Sequence, residues 1–364
     1  MRVLHLTKHY RNPGEEWLRN LVRFTSGEAT VGSLLVLPAG RADGVDLRQL
    51  PRPTRNDRQV PAPTAPERAW VGGFDVVHAH FMDLAWTLLP WLEAARSVVV
   101  SVYGYDLAAL PCDQPEWLDR YQEVLALGPA FVVQGPSGVS RVAAWGAVER
   151  VHVVPLGVPS GQIVDRPMSV GGPVLRLLQT AHYREKKGHL DTVEAFESAF
   201  GRSGRASLTL VGDQPMSRAT TYPAVSERIR RAGLASVVSM VGSVTHREFL
   251  SLLDRHDVYV QPSTCTASGD VEGGPVALLD AQSRGRPVLA THHENIPMLV
   301  DHGRSGLLTP ESDPKRLAES MIAMAALEER ATAEFAAGAL EAARRHTCEA
   351  MGEALRHVYE EAEW

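Results

Sequence analysis

The residues best placed to do chemistry lie between Gln261 and Leu308, in QPSTCTASGDVEGGPVALLDAQSRGRPVLATHHENIPMLVDHGRSGLL. A strand pattern ends at Gln261, and Gly269, Gly273 and Gly274 then let the backbone approach a ligand closely. Pro275 suits the first turn of a helix, where no amide hydrogen is required. The free amides that follow, at the positive end of the helix dipole, suit an anion such as a phosphate. Asp280 comes one turn after Val276 among Ala277, Leu278, Leu279 and Ala281, so its carboxylate is costly unless it meets a partner. Ribose hydroxyls would supply one. The plainer alternative pairs Asp280 with Arg284 at i, i+4 and leaves Glu272 as a loop acid. A glycine-rich strand-to-helix turn with an acid on either side favours ligand binding at this sheet edge.

Three further constellations could contribute. Thr180-Ala181-His182-Tyr183-Arg184-Glu185-Lys186-Lys187-Gly188 follows a strand pattern ending at Gln179. Alone it reads as a solvated basic loop, but beside an anion site its cations could neutralise a departing phosphate. Ser101-Val102-Tyr103-Gly104-Tyr105-Asp106 closes another strand, either as a plain turn or as a site. Asn12-Pro13-Gly14-Glu15-Glu16-Trp17-Leu18 opens a helix carrying Leu21, Val22 and Phe24 with Arg19 and Arg23. That helix could dock on an anionic membrane or simply face the core. His78 and His80 share a strand face, but no third metal ligand stands at a telling spacing, and satisfied histidines are the safer reading. His292 and His293 point apart if extended, and Gly135-Pro136-Ser137-Gly138 lacks the spacing of a nucleophile elbow.

The first stretch resembles the signature of family 4 of the retaining, nucleotide-sugar-dependent glycosyltransferases. Glu272-Gly273-Gly274-Pro275, Asp280-Ala281 and Gly285-Arg286-Pro287-Val288 follow its two-acid pattern, and Thr291, His293, Ile296 and Pro297 follow its T-x-H-x-x-I-P. The branch it most resembles acts in polysaccharide and natural-product glycosylation. The resemblance implies that Glu272 holds hydroxyls of the donor sugar and that Asp280, one methylene shorter than the usual glutamate, binds the ribose. It implies that Lys187 grips the diphosphate, with His182 at the usual arginine position and Arg184 near enough to substitute. Tyr103 stands where relatives have a histidine that touches the donor sugar, while Gly104 and Asp106 match; Tyr103 and Asp106 join Glu272 and Lys187 as catalytic candidates. Met298 stands where many relatives have glutamate. Gly14 and Glu15 would lie on the acceptor side, and Gly242 beside the donor.

These groups need a scaffold. Short apolar runs at Val3–Thr7, Ser33–Leu37, Val76–His80, Val98–Val102, Phe131–Gln134 and Val151–Pro155 alternate with helical patterns. The alternation restarts at Leu175–Gln179, Leu208–Gly212, Val237–Val241, Val258–Gln261, Pro287–Ala290 and Leu307–Leu308. Near-continuous Val/Leu strands between helices indicate parallel sheets buried on both faces. The expected architecture is α/β: two doubly wound, Rossmann-like domains facing across a cleft, the GT-B fold of the resembled family. Residues 1–158 form an acceptor-side domain, 159–173 a Gly/Pro-rich linker, 174–340 a nucleotide-sugar domain and 341–364 a C-terminal helix able to pack back on the first domain.

Composition bounds the rest. The 364 residues carry 37 basic and 43 acidic side chains, a formal charge of −6, which argues against general nucleic-acid affinity. Three scattered cysteines, Cys112, Cys265 and Cys348, offer neither a disulfide framework nor a thiolate zinc site. No secretory signal or membrane-spanning run is visible, so a cytoplasmic setting is expected, with weak peripheral contact at the inner membrane face left open. The resemblance implies a metal-independent hexosyltransferase without a cofactor, taking sugar from a UDP- or GDP-type donor to a hydroxyl of a glycan, a lipid-linked glycan or a small natural product. Rival readings are a nucleotide-sugar epimerase or phosphorylase on the same fold, and a non-catalytic nucleotide-sugar-binding protein.

Overall fold

The computed structural model describes residues 1–10, 16–25, 28–34, 40–42, 45–53, 59–166, 174–213 and 220–362. Two compact units divide the chain: Met1–Gly157 with Cys348–Trp364, and Val158–Thr347. Each is built on one sheet.

The first unit holds β1 (Arg2–Thr7), β2 (Glu28–Ser33), β3 (Gly40–Ala42), β4 (Val45–Gln49), β5 (Val76–His80), β6 (Val98–Ser101), β7 (Ala130–Val133) and β8 (Val151–Val153). Their order is β3-β4-β2-β1-β5-β6-β7-β8, parallel throughout except for the antiparallel β3–β4 edge. The second holds β9 (Leu175–Thr180), β10 (Ala206–Val211), β11 (Val238–Val241), β12 (Val258–Gln261), β13 (Val288–Thr291) and β14 (Gly306–Thr309). These run β11-β10-β9-β12-β13-β14, all parallel. Successive residues enter opposite cores: Leu177 and Val260 pack in one apolar cluster, Leu178 and Tyr259 in the other. Both faces of this sheet are therefore covered, which is why its strands read as unbroken apolar runs.

The strands depart from the sequence reading at two places. The strand placed at Ser33–Leu37 is β2, ending at Ser33; residues 35–37 lie outside the described residues. Its first half is only partly buried, so it lacks the apolar density that marks a strand. β4 was not foreseen because it alternates, with Val45 and Leu47 buried and Asp46 exposed near the sheet edge. In the stretch 159–173, expected as the linker between domains, Ser160–Gln162 forms a 3-10 turn and Val164 N donates to Ser283 O at 3.0 Å.

The helix Glu329–Arg345 runs through residue 341, and the unit boundary falls after Thr347. The next helix, Cys348–Ala362, belongs to the first unit. Its Tyr359 hydroxyl lies 2.7 Å from His78 Nδ1, and Ser97 Oγ donates to Ala362 O at 2.7 Å. The early helix Glu16–Thr25 buries Leu18, Leu21 and Val22, so its apolar side faces the core. Among the described residues no helix is long and apolar enough to cross a membrane.

Candidate functional site

In the second unit the strand order reverses between β9 and β12, and ligands in such sheets bind beyond the strand ends at that switch point. The loops leaving β9 and β12 meet there. Lys187 Nζ is bonded to Glu272 Oε2, and both side chains are more than four-fifths buried. Beside them Lys186 Nζ donates to Asp270 Oδ1 and Val271 O, each at 2.9 Å. Burial alone would raise the Glu272 carboxyl; Lys187, Lys186, the bond from Lys187 and His293 together outweigh it and hold the group below its ordinary range.

The approach of the two loops depends on Gly188. It takes φ 65° and ψ 27°, and an added Cβ would lie 2.1 Å from Pro262 O. Only glycine combines that left-handed conformation with so close a backbone. Next to it Gln179 Nε2 donates to Lys187 O at 2.7 Å, which ties the lysine to the end of β9.

The loop from β13 adds His293, fully buried. Its Nε2 accepts from Glu272 N at 2.9 Å, so Nδ1 carries the proton and donates to Glu311 Oε1 at 2.8 Å. Glu311 Oε2 accepts from Cys265 N at 2.7 Å. Asn295 Nδ2 donates to Gly273 O at 2.9 Å. The glycine turn is thus fastened from two sides. Its left-handed glycine is Gly269, at φ 79°, and neither Gly273 nor Gly274 takes a positive φ. Pro275 caps the helix Val276–Ser283 rather than entering it, and this cap makes no side-chain hydrogen bond.

Asp280 does not pair with Arg284. Arg284 makes a bidentate bond to Asp254, 2.7 Å on each oxygen. Asp280 Oδ1 instead accepts from Gln162 Nε2 at 2.7 Å and from His246 Nε2 at 3.1 Å. His182 Nδ1 pairs with Asp213 Oδ1 on an exposed rim, while Arg184 is exposed. Gly242, just past β11, is exposed and open, with nothing within 4 Å of its Cβ position.

Tyr103 and Asp106 belong to the first unit. Asp106 is fully buried: Oδ2 accepts from Met82 N at 2.8 Å and Oδ1 from Tyr103 N at 2.7 Å. Burial, helped by Asp83 and opposed by the amides of Met82 and Tyr103, pushes its pKa up to about 7. Both oxygens therefore hold backbone, and Asp106 shapes the turn that carries Tyr103. Tyr103 is 7% exposed, with its hydroxyl 3.0 Å from His80 Nδ1.

His5 supplies the third imidazole that spacing along the chain concealed. The parallel register sets His5 opposite His78, and His80 follows on the same face. Ligand atoms of the three lie within 4.8 Å of one another, close enough for a metal ion. Their ring nitrogens are engaged otherwise. His78 meets Tyr359 and Ser101 at 2.7 Å each, His80 Nε2 meets His5 Nδ1 at 3.1 Å, and His5 Nε2 meets Thr25 Oγ1 at 3.5 Å. Since Thr25 donates to Leu21 O at 2.7 Å, it accepts from His5, and the proton order runs from Tyr103 through His80 and His5 to Thr25. Above this network a cavity of about 130 Å³ is lined by Thr7, Lys8, His9, Leu18, His80, Phe81 and Tyr105. It sits beyond β1 and β5, where the first sheet reverses order. Phe81 takes φ 78°, a strained conformation for a non-glycine residue. Gly14 and Glu15 lie outside the described residues.

Two doubly wound units, the second with an acid–lysine pair at its switch point, have the architecture of the GT-B class. Residues 174–326, all within the second unit, match the family model described as Glycosyl transferases group 1. The putative colanic acid biosynthesis glycosyltransferase WcaL of Escherichia coli (strain K12) is 29% identical over 70% of this chain and 62% of that protein. The amylovoran biosynthesis glycosyltransferase AmsK of Erwinia amylovora is 31% identical over 48% of this chain and 42% of its own length. The match thus spans roughly two fifths to three fifths of these relatives. Among solved structures, Anabaena HepE in complex with UDP is similar in fold, with a TM-score of 0.76 and 17% identity, covering 99% of this chain and 100% of that one.

Sequence reasoning missed His246, Gln162 and Glu311 as parts of the site, and it quoted Lys186 and His293 in motifs without giving either a partner. Nothing local marks His246, Gln162 or Glu311.

Proposed function

We propose that the chain is a retaining hexosyltransferase that moves a sugar from a nucleoside-diphosphate sugar, of UDP or GDP type, to a hydroxyl of a glycan, a lipid-linked glycan or a small natural product. The observation that carries this reading is the meeting of Lys187 and Glu272 at the β9/β12 switch point, beside the uncapped helix at Val276. Glu272 receives hydroxyls of the donor sugar, and Asp280 receives the ribose. Lys187 and the helix amides stabilise charge on the diphosphate as it leaves, with Arg184 and His182 at the rim. The cation this step needs is a side chain, so the reading calls for neither metal nor cofactor.

In the reaction, the bond from the sugar's anomeric carbon to the phosphate oxygen breaks and a bond to the acceptor oxygen forms on the same face. The acceptor's proton passes to the departing phosphate. Similarity to WcaL and AmsK supports a polysaccharide-type acceptor, and the likeness to HepE, solved in complex with UDP, supports a nucleotide ligand. Glu272→Ala is expected to lower turnover at least about a hundredfold, measured as release of nucleoside diphosphate from UDP- and GDP-sugars with oligosaccharide acceptors. Near-normal turnover would refute the assignment. Conversion of donor to another sugar isomer without acceptor would favour an epimerase.

A further inference from the structure

Asp280 is held from a direction that its own helix does not explain. Its Oδ1 has two lone pairs, and two donors occupy them: Gln162 Nε2 at 2.7 Å and His246 Nε2 at 3.1 Å. Among the described residues none bonds Oδ2, and the side chain keeps 7% of its surface exposed. The same Gln162 amide reaches Ser283 Oγ at 3.0 Å, Ser283 Oγ donates to Asp280 O at 2.7 Å, and Arg284 Nη1 donates to Gln162 O at 3.3 Å. With the Val164 N to Ser283 O bond, the segment just past the unit boundary is stitched to the last turn of the helix Val276–Ser283. His246 stands at a helix start fixed by the Thr245–Glu248 capping box.

We propose that Gln162 and His246 are positioning residues that hold Asp280 Oδ1 so that Oδ2 is the atom offered to a ribose hydroxyl. This rests on the reading of Asp280 as the ribose-binding acid. The carboxylate of an aspartate on an apolar helix has a short reach and two torsions to settle. Two donors on one oxygen settle both. Gln162 then governs nucleotide affinity without touching nucleotide, and it does so only through the ribose.

The test is a set of dissociation constants by calorimetry for UDP and GDP and for their 2′,3′-dideoxy forms, on wild type, Gln162→Ala, His246→Ala and Asp280→Asn. Wild type is expected to prefer the tighter-binding ribose form over its dideoxy partner by about tenfold or more, the scale of a hydrogen bond to a charged group. Gln162→Ala and His246→Ala should each cut that preference at least threefold, as Asp280→Asn does more fully, while dideoxy affinity stays within twofold of wild type. A full preference retained in both positioning variants overturns the proposal. A wild type indifferent to the ribose hydroxyls overturns the role of Asp280 beneath it, and a wild type that binds neither diphosphate overturns the functional reading itself. Melting temperatures check folding, and a variant that loses all forms equally counts against positioning.

Discussion

Replacing Gly188 with alanine imposes two separate costs on the chain. The residue sits at φ 65°, ψ 27°, where an L side chain is disfavoured by about 1–2 kcal/mol. The new Cβ would also lie 2.1 Å from Pro262 O and 3.1 Å from Pro262 C, backbone atoms of the loop leaving β12. An ordinary contact requires that loop to retreat by about 1 Å, an overpacking strain of roughly 1–3 kcal/mol. The sum is about 2–5 kcal/mol. Gly204 isolates the first part, because its φ is 72° and nothing lies within 4 Å of its Cβ position. Gly204→Ala should therefore cost only about 1–2 kcal/mol. Urea unfolding followed by far-UV circular dichroism would measure both. Because the retreating loop carries Glu272, proposed to receive the donor sugar, away from Lys187, binding of intact UDP- or GDP-sugar should weaken in Gly188→Ala and not in Gly204→Ala. Equal losses of stability in the two variants, or undiminished binding in the first, would refute the steric argument.

The first unit should be acid-sensitive with a calculable sign. Burial lowers the pKa of His5 from 6.5 to about 3 and carries His78 and His80 well down too, so the unfolded chain takes up protons that the folded one refuses. Their stabilisation is present above about pH 6.5 and is lost as pH falls, at about 1.4 kcal/mol per pH unit for each histidine. Asp106 opposes this, since its raised pKa of about 7 means its contribution is present near pH 4 and is lost as pH rises. As pH falls from about 6.5 toward 4, Asp106 thus offsets about one of the protons that the buried histidines refuse, and Asp106→Asn should steepen the loss of stability. Trp17, Trp70, Trp86, Trp91, Trp117 and Trp145 lie in the first unit and the sequence 158–347 holds no tryptophan, so fluorescence reads this transition; a slope unchanged by the substitution would contradict the assignment. Separately, Gly352→Ala would set a Cβ 2.1 Å from Phe24 O and should destabilise the first unit by about 2 kcal/mol or more, visible in the same fluorescence.

What the sequence disclosed and what it hid follow from range. The buried strands β5 and β12 and the turn from Glu272 to Asp280 are local patterns, and local patterns can be read. β4 escaped because one of its faces is polar. His5 lies seventy-five residues from His80, and only the parallel register of β1 on β5 joins them. Gln162 sits in a stretch that looks like a spacer, yet it bonds Asp280 across 118 positions. Lys187 and Glu272 could be named singly, but their pairing depends on Gly188 and Pro262 standing backbone to backbone. Asp106 could be named as well, although its burial turns a candidate reacting group into a support for the turn.

A ribosome delivers all of Val158–Thr347 before it delivers the helix Cys348–Ala362. The second unit is continuous and can therefore mature while translation continues. The first emerges earlier and must wait, its seam beside Phe24 and His78 open until Gly352 and Tyr359 arrive. Shortening the chain by its last helix would thus injure the oldest part of the nascent protein and spare the second unit.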